Sequence, residues 1–194
     1  DPEHLNEGNI NYNLLFTASQ VQALGSDWDV WRNGIIYGST MMQHTTSVSW
    51  TYVFYTYSEG YNAAYWDALY SGDRGVIRDI TDVTRNWEGK EGFENDYQLA
   101  RIMKAYMFHR MTDLYGDIPY FDGGAGYYSG TLKPKYDKQE DIYNDFFEQL
   151  ETANNQFDPN GDAILYDHYS GGHINKCKKC CNSLRRRLAM GLVK

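Results

Sequence analysis

The sequence predicts an all-α fold with long aromatic loops, and three observations carry that prediction. Apolar residues recur at spacings of three and four along most of the chain. The helical patterns end at recognisable stops, above all Gly116 followed by Pro119. Only 4 Pro stand against 18 Gly, many of the glycines falling between the periodic stretches, as helices joined by ordinary loops require. A chain of 194 residues is long enough for one domain with a sizeable core.

A first helix is expected over 13–24, where Leu14, Leu15, Ala18, Val21 and Leu24 repeat before Gly25. A second starts at Ser26 or Asp27 as cap and carries Trp28, Trp31, Ile35 and Met42, with Gly34 and Gly38 inside it. From His44 to Gly60 the pattern changes to β-branched and aromatic residues with partial alternation, which reads as a strand or an irregular aromatic loop. Helices resume over 61–70, with Tyr61, Tyr65 and Leu69 on one side, and over 73–85, with Val76, Ile77, Ile80 and Val83. The stretch beginning at Asp96 is the clearest: Leu99, Ile102, Met103, Tyr106, Met107, the stem of Arg110 and Leu114 mark one face of a long helix. A further helix is expected with Asp137 as N-cap, Glu140 in the capping-box position, and Ile142, Tyr143, Phe146, Phe147, Leu150 and Ala153 as its buried stripe.

Three ordered blocks carry a family resemblance. They are Asp113-Leu-Tyr-Gly-Asp-Ile-Pro-Tyr120, Ile142-Tyr-Asn-Asp-Phe-Phe-Glu-Gln-Leu150 and Asn182-Ser-Leu-Arg-Arg-Arg-Leu-Ala-Met190. Together they resemble the SusD/RagB family of outer-membrane nutrient-binding lipoproteins, whose members are longer than this chain. Two places depart from the family pattern: Cys177, Cys180 and Cys181 replace bulky aromatic or small apolar residues, and Gly191 stands where Arg is common.

The resemblance implies a tetratricopeptide-like helical repeat array, with residues 1–194 as a single helical domain of a longer chain. No sequence repeat is visible at the roughly 34-residue tetratricopeptide period, so the array is an implication of the family rather than of spacing. The resemblance also implies a non-catalytic protein at the outer-membrane cell surface. Such a protein captures oligosaccharides or oligopeptides and delivers them to a SusC-like TonB-dependent transporter. The start Asp1-Pro-Glu-His-Leu looks like the mature end of an exported protein, with a leader and a lipid-bearing Cys expected ahead of it.

Composition narrows the alternatives. The formal charge of −8 argues against nucleic acid as partner, and the basic run from Lys176 to Arg187 reads as a solvated helix face. No run of eighteen apolar residues occurs, so no helix is predicted to span a membrane. The 18 Tyr and 5 Trp supply rings with polar edges, suited to half-wet surfaces that grip polar ligands. They concentrate in two loops. Trp50, Tyr52, Phe54, Tyr55 and Tyr57 crowd among Thr and Ser hydroxyls, and Tyr120, Phe121, Tyr127 and Tyr128 sit among glycines of the loop 115–136. Ring faces stack on the C–H patches of sugars while hydroxyls orient them, so Trp50, Tyr52, Tyr55, Tyr57, Tyr127 and Tyr128 are the expected ligand contacts.

A helical glycoside hydrolase and a protein-binding scaffold are the competing functions. A hydrolase needs two acids at about 5–9 Å, and Asp67 with Asp73, or Asp113 with Asp117, could be nominated. Both pairs sit at helix ends, where Asp is expected for capping and turns. His109, four residues before Asp113, reads as its local hydrogen-bond partner rather than part of a triad. Cys177-Lys-Lys-Cys-Cys181 contains C-x-x-C, but a zinc site needs a second ligand pair and only His168 and His173 lie near. Cys177, Cys181, Leu184, Leu188 and Leu192 share a helical stripe and are read as core-facing. No catalytic residue, metal or cofactor is expected.

Overall fold

The stripe Val76, Ile77, Ile80 and Val83 folds as predicted: all four residues are buried on one face of α4, Val76–Trp87. The structure, a computed structural model, describes residues 10–46, 58–70 and 75–193. The described residues form α1 (Tyr12–Gln22), α2 (Asp27–Val30, continuing as a wider helix over Trp31–Ser39), α3 (Glu59–Tyr70), α4, α5 (Glu94–Tyr115), a single turn α6 (Gly126–Ser129), α7 (Gln139–Gln156) and α8 (Ile174–Leu192). Among them no strand occurs, only an isolated bridge between Ile118 and Asp137.

Helix α5 is the spine. It packs on α4 along one side and on α7 and α8 along the other, while α1 covers α4 and α3 bridges α2 and α4. Its buried residues lie around much of the circumference, Leu99, Ile102, Met103, Met107, Phe108 and Met111 among them, because neighbours enclose it from several directions. Leu114, at the last turn, is 48% exposed and leaves the predicted stripe. The stop is as expected: Gly116 takes φ 76°, its N–H still bonds Thr112 O at 2.8 Å, and Thr112 Oγ1 donates to Gly116 O at 2.7 Å.

Three predicted faces need correction. In α1, Leu14 (60% exposed), Val21 and Leu24 point outward, and the inward face is Phe16, Ser19, Gln20 and Ala23. Ser19 satisfies its hydroxyl within the helix, donating to Leu15 O at 2.9 Å, and Gln20 is buried because the segment 164–172 lies across it. Gln20 Nε2 donates to Asp167 Oδ1 at 3.0 Å, and its Oε1 accepts from His168 N at 2.7 Å. Tyr169 adds an O–H bond to Gln20 O at 2.6 Å. In α2, Trp28, Ile35 and Met42 are exposed while Ile36 is fully buried. Trp28 is already exposed ahead of the widened stretch Trp31–Ser39, and Ile35 is exposed within it, so the predicted stripe marks the outer face from its first residue. In α8, Cys177, Cys181, Leu184 and Leu188 are buried as expected, but Leu192 is exposed.

Asp137 does not cap α7. Lys138 occupies that position without a side-chain bond, and the first N–H is taken from outside, by Asp117 Oδ1 accepting from Gln139 N at 2.9 Å. Asp137 is instead buried, its Oδ2 accepting from Tyr120 N at 3.0 Å and Phe121 N at 2.9 Å. This clamp, with the Ile118 bridge, folds the loop after α5 back onto α7. The return is tight: a Cβ on Gly123 would lie 2.3 Å from Pro119 O.

Burial also sets a pH response. Asp82 and Asp96 are each pushed up to about 6, chiefly by burial, with carboxylate neighbours adding to it, Asp79 for Asp82 and Asp162 and Asp167 for Asp96. Between the unfolded value of about 4 and the folded value, the folded chain holds more protons than the unfolded one. Stability therefore falls as pH rises from about 4 to about 6 and levels off above. Thermal unfolding should show a higher midpoint at pH 5 than at pH 7.5, with part of the difference removed by Asp96→Asn; a midpoint that falls on acidification over this range would contradict it.

Candidate functional site

Aromatic side chains from the second half of α3, the end of α5 and the loop before α7 converge. Trp66 and Tyr70 stand one turn apart on α3, with centroids 4.7 Å apart. Tyr115, the last residue of α5, meets the Trp66 ring edge-on at 5.3 Å and 89°. Its hydroxyl ties the two helices together, donating to Asn62 O at 2.7 Å and accepting from Trp66 N at 3.0 Å. Tyr136 lies nearly parallel to Trp66, at 13° and 6.0 Å between centroids, and is 63% exposed. Tyr70 is fixed from the other side: its O–H donates to Pro119 O at 2.5 Å, and burial, then the nearby Tyr136 and Asp137, keep it well above the ordinary phenol range, hence a neutral donor.

Trp66, Tyr115 and Tyr136 border a hollow of about 310 Å³, with Glu59, Asn62 and Asp117 supplying its polar rim. A half-exposed ring pair beside carboxylate and amide groups is the arrangement that accepts a flat apolar patch edged by hydroxyls. The tie between Asp117 and Gln139 N holds that rim residue in place.

The predicted contacts Trp50, Tyr52, Tyr55 and Tyr57 lie outside the described residues, as does the Tyr127 side chain. The ends of the segment that contains the first four are nonetheless placed. His44 N bonds Ser39 O at 2.8 Å, and Ser58 exchanges two 2.9 Å bonds with the Tyr37 hydroxyl. Both flanking residues are therefore anchored to the last part of α2, and Ser58 immediately precedes Glu59, the first residue of α3. Tyr61 on α3 faces Trp31 at 5.8 Å, and the Arg32 guanidinium lies over Tyr61 and Trp28 at 5.8 and 5.9 Å. In the other loop, Tyr128 is 38% exposed under the Arg85 guanidinium at 4.5 Å, whereas Tyr120 is buried and donates its O–H to Asp145. Sequence reasoning missed Trp66, Tyr115 and Tyr136; only the i, i+4 spacing of Trp66 and Tyr70 was a local signal.

Of the two acid pairs only Asp113 with Asp117 lies wholly within the described residues, and both carboxylates are engaged in structural bonds. Asp113 Oδ2 lies 2.9 Å from His109 Nε2, and Asp113 Oδ1 accepts from Tyr143 O–H at 2.5 Å. Burial opposes its charge, but these bonds outweigh burial and hold the carboxyl below its usual value, the reverse of what a general acid needs. Asp117 serves α7, and Asp73 lies outside the described residues. Cys177 and Cys181 are buried thiols, both pushed up to about 11 chiefly by burial. Cys181 Sγ bonds Leu150 O at 3.1 Å, so the pair is packing rather than thiolate chemistry. No cluster of metal-ligating side chains occurs among the described residues.

Comparison with known proteins agrees with this architecture. A SusD-like family model described as "Starch-binding associating with outer membrane" matches residues 8–194. A solved structure titled chitin-binding protein is 32% identical over 93% of this chain and 38% of its own, with a TM-score of 0.82. A Bacteroidetes SusD-like protein is 32% identical with a TM-score of 0.77, over 93% of this chain and 33% of its own. A SusD homologue from Parabacteroides distasonis, 22% identical, shares the fold at a TM-score of 0.80 over 93% of this chain and 35% of its own. The helices are thus the tetratricopeptide-like array of such proteins, and the chain spans about a third of their length. No curated protein matches.

Proposed function

Because this chain belongs to the SusD-like family, we propose that it captures glycans at the outer-membrane surface, without turning them over, and passes them to a SusC-like TonB-dependent transporter. The observation that carries the proposal is the Trp66–Tyr136 ring pair, exposed beside a polar rim and held by Tyr115 and Tyr70. Trp50, Tyr52, Tyr55 and Tyr57 precede Ser58 and the rim residue Glu59 in sequence and are proposed as further ligand contacts. Tyr127 and Tyr128 are proposed as further contacts from the glycine-rich loop. The name of the chitin-binding neighbour supports a carbohydrate ligand over an oligopeptide. The helical array would serve as rigid frame and transporter-docking surface, and attachment through an N-terminal lipid is part of the proposal.

Titration of the full-length protein with N-acetylglucosamine oligomers, maltooligosaccharides and oligopeptides, followed by Trp fluorescence, tests the reading. One glycan series should bind and the peptides should not. Trp50→Ala or Tyr55→Ala should weaken binding by about 1–3 kcal/mol without lowering the unfolding midpoint; unchanged affinity in both removes that segment from the site. Labelled oligosaccharides should be recovered intact, and turnover abolished by replacing one carboxylate would establish a hydrolase instead. Co-purification with a large β-barrel from solubilised outer membrane checks the transporter.

A further inference from the structure

A second recess, of about 230 Å³ and more enclosed than the first, opens between α4, α5 and α7. Arg85, Arg101 and Lys104 line it together with the carboxylates of Glu88 and Asp145. Most of these charges are already engaged. Arg101 donates to Gln149 Oε1 at 2.8 Å and Gln98 Oε1 at 3.1 Å, and Arg85 lies over the Tyr128 ring. Glu88 accepts from Tyr97 O–H at 3.2 Å, while Asp145 accepts from Tyr120 O–H and from Gln149 Nε2 at 3.2 Å.

Lys104 differs. Among the described residues no hydrogen bond or ion pair reaches its Nζ, and its one aromatic neighbour is the Phe108 ring at 5.9 Å. Burial, the largest influence on it, pulls its pKa below the ordinary lysine value, with Asp145 acting the other way. Lys104 is half-buried at the wall of the recess with no hydrogen-bonded or ion-paired oxygen at its Nζ among the described residues, so an incoming anion would meet a partly dehydrated ammonium with its donors free.

We propose that this recess binds a carboxylate group, with Lys104 as its ammonium partner and the Phe121 and Tyr97 rings flanking the body of the bound residue. Charge selects the class. Three cations face two carboxylates, so the lining favours a single negative charge, whereas Glu88 and Asp145 would repel a phosphate dianion. The volume suits one acidic sugar ring or one acidic amino-acid side chain rather than an oligomer. The site is separate from the Trp66 hollow, and its occupancy does not require that hollow to bind glycan.

Calorimetric titration of the full-length protein at pH 7 with glucuronate, N-acetylglutamate and the neutral glucuronamide tests it. At least one carboxylate should bind at least tenfold more tightly than the neutral amide, and whichever of the two carboxylates binds better identifies the source as glycan or peptide. Lys104→Met should weaken that binding at least tenfold, and Trp66→Ala should leave it intact. A readout that needs no variant is amine acylation followed by peptide mass spectrometry, in which the bound carboxylate should protect Lys104. Absence of binding by both carboxylates, equal binding of the amide, or unchanged affinity in a folded Lys104→Met protein overturns the proposal. Loss of glycan binding in Trp66→Ala with carboxylate binding retained would separate the two sites.

Discussion

Trp66→Ala is expected to weaken glycan binding by about 2–4 kcal/mol, the range of a central aromatic anchor. The size follows from how many partners meet at one indole. Trp66 carries Tyr136 on its face, meets Tyr115 at its edge and packs against Tyr70. Removing it therefore withdraws a stacking surface and also releases the ring beside it. Because Trp66 packs against the core, the substitution carries a folding cost as well. Tyr136→Ala separates the two effects, since Tyr136 is mostly exposed and its loss leaves the core untouched. It should lower affinity by about 1–2 kcal/mol with no change in the unfolding midpoint. Wild-type affinity in both variants, measured by the same fluorescence titration, would mean that glycans bind elsewhere.

Asp137→Ala is expected to be the most damaging change to stability, at about 3–5 kcal/mol by chemical denaturation. A single carboxylate oxygen accepts from the N–H groups of Tyr120 and Phe121. Hydrogen bonds to a charged group contribute about 1.5–3 kcal/mol each, and a buried donor left unpaired costs its desolvation as well. The neighbouring Lys135, 3.4 Å from Oδ1, is largely exposed and adds little. Asp137→Asn keeps one acceptor oxygen and should recover part of the loss. Release of the loop should also loosen Pro119, the partner of Tyr70, so residual glycan affinity should fall in Asp137→Ala even under conditions where it remains folded. If Asp137→Ala and wild type unfold at the same denaturant concentration, the clamp is not what holds the loop.

How far the fold was legible can be seen by comparing α4 with α1. In α4 the four predicted apolar residues are all buried, joined by Thr81 and Trp87, because one face meets α1 and α5 while the other meets water. In α1 the pattern of leucines and valine pointed to a face that is exposed, and a polar pair lies inward. Gln20 is accommodated only because Asp167, His168 and Tyr169 arrive from the far end of the chain with matching donors and acceptors. Periodicity counts apolar residues and cannot register such pairings. In α2 the predicted residues Trp28 and Ile35 are both exposed while Ile36 is buried, so large apolar side chains there mark the outer face.

The site shows the same division. Aromatic crowding in the segment holding Trp50 and Tyr55 was visible as composition, and its anchors lead to the start of α3. Trp66, Tyr115 and Tyr136 lie in three different segments, and nothing local marks them as neighbours.

By itself, then, the sequence determined the helical class, most of the interior of α4 and α7, the stop at Gly116 and the family blocks. These depend on residues within a few turns of each other, where spacing and chain stiffness decide the outcome. The tertiary structure alone decided that Asp137 clamps a loop instead of capping a helix, that Gln20 is an inward residue, and that Trp66 and Tyr136 form one surface. Each rests on a hydrogen bond or ring contact between segments distant in the chain, which exists only once α5 has gathered α4, α7 and α8 around it.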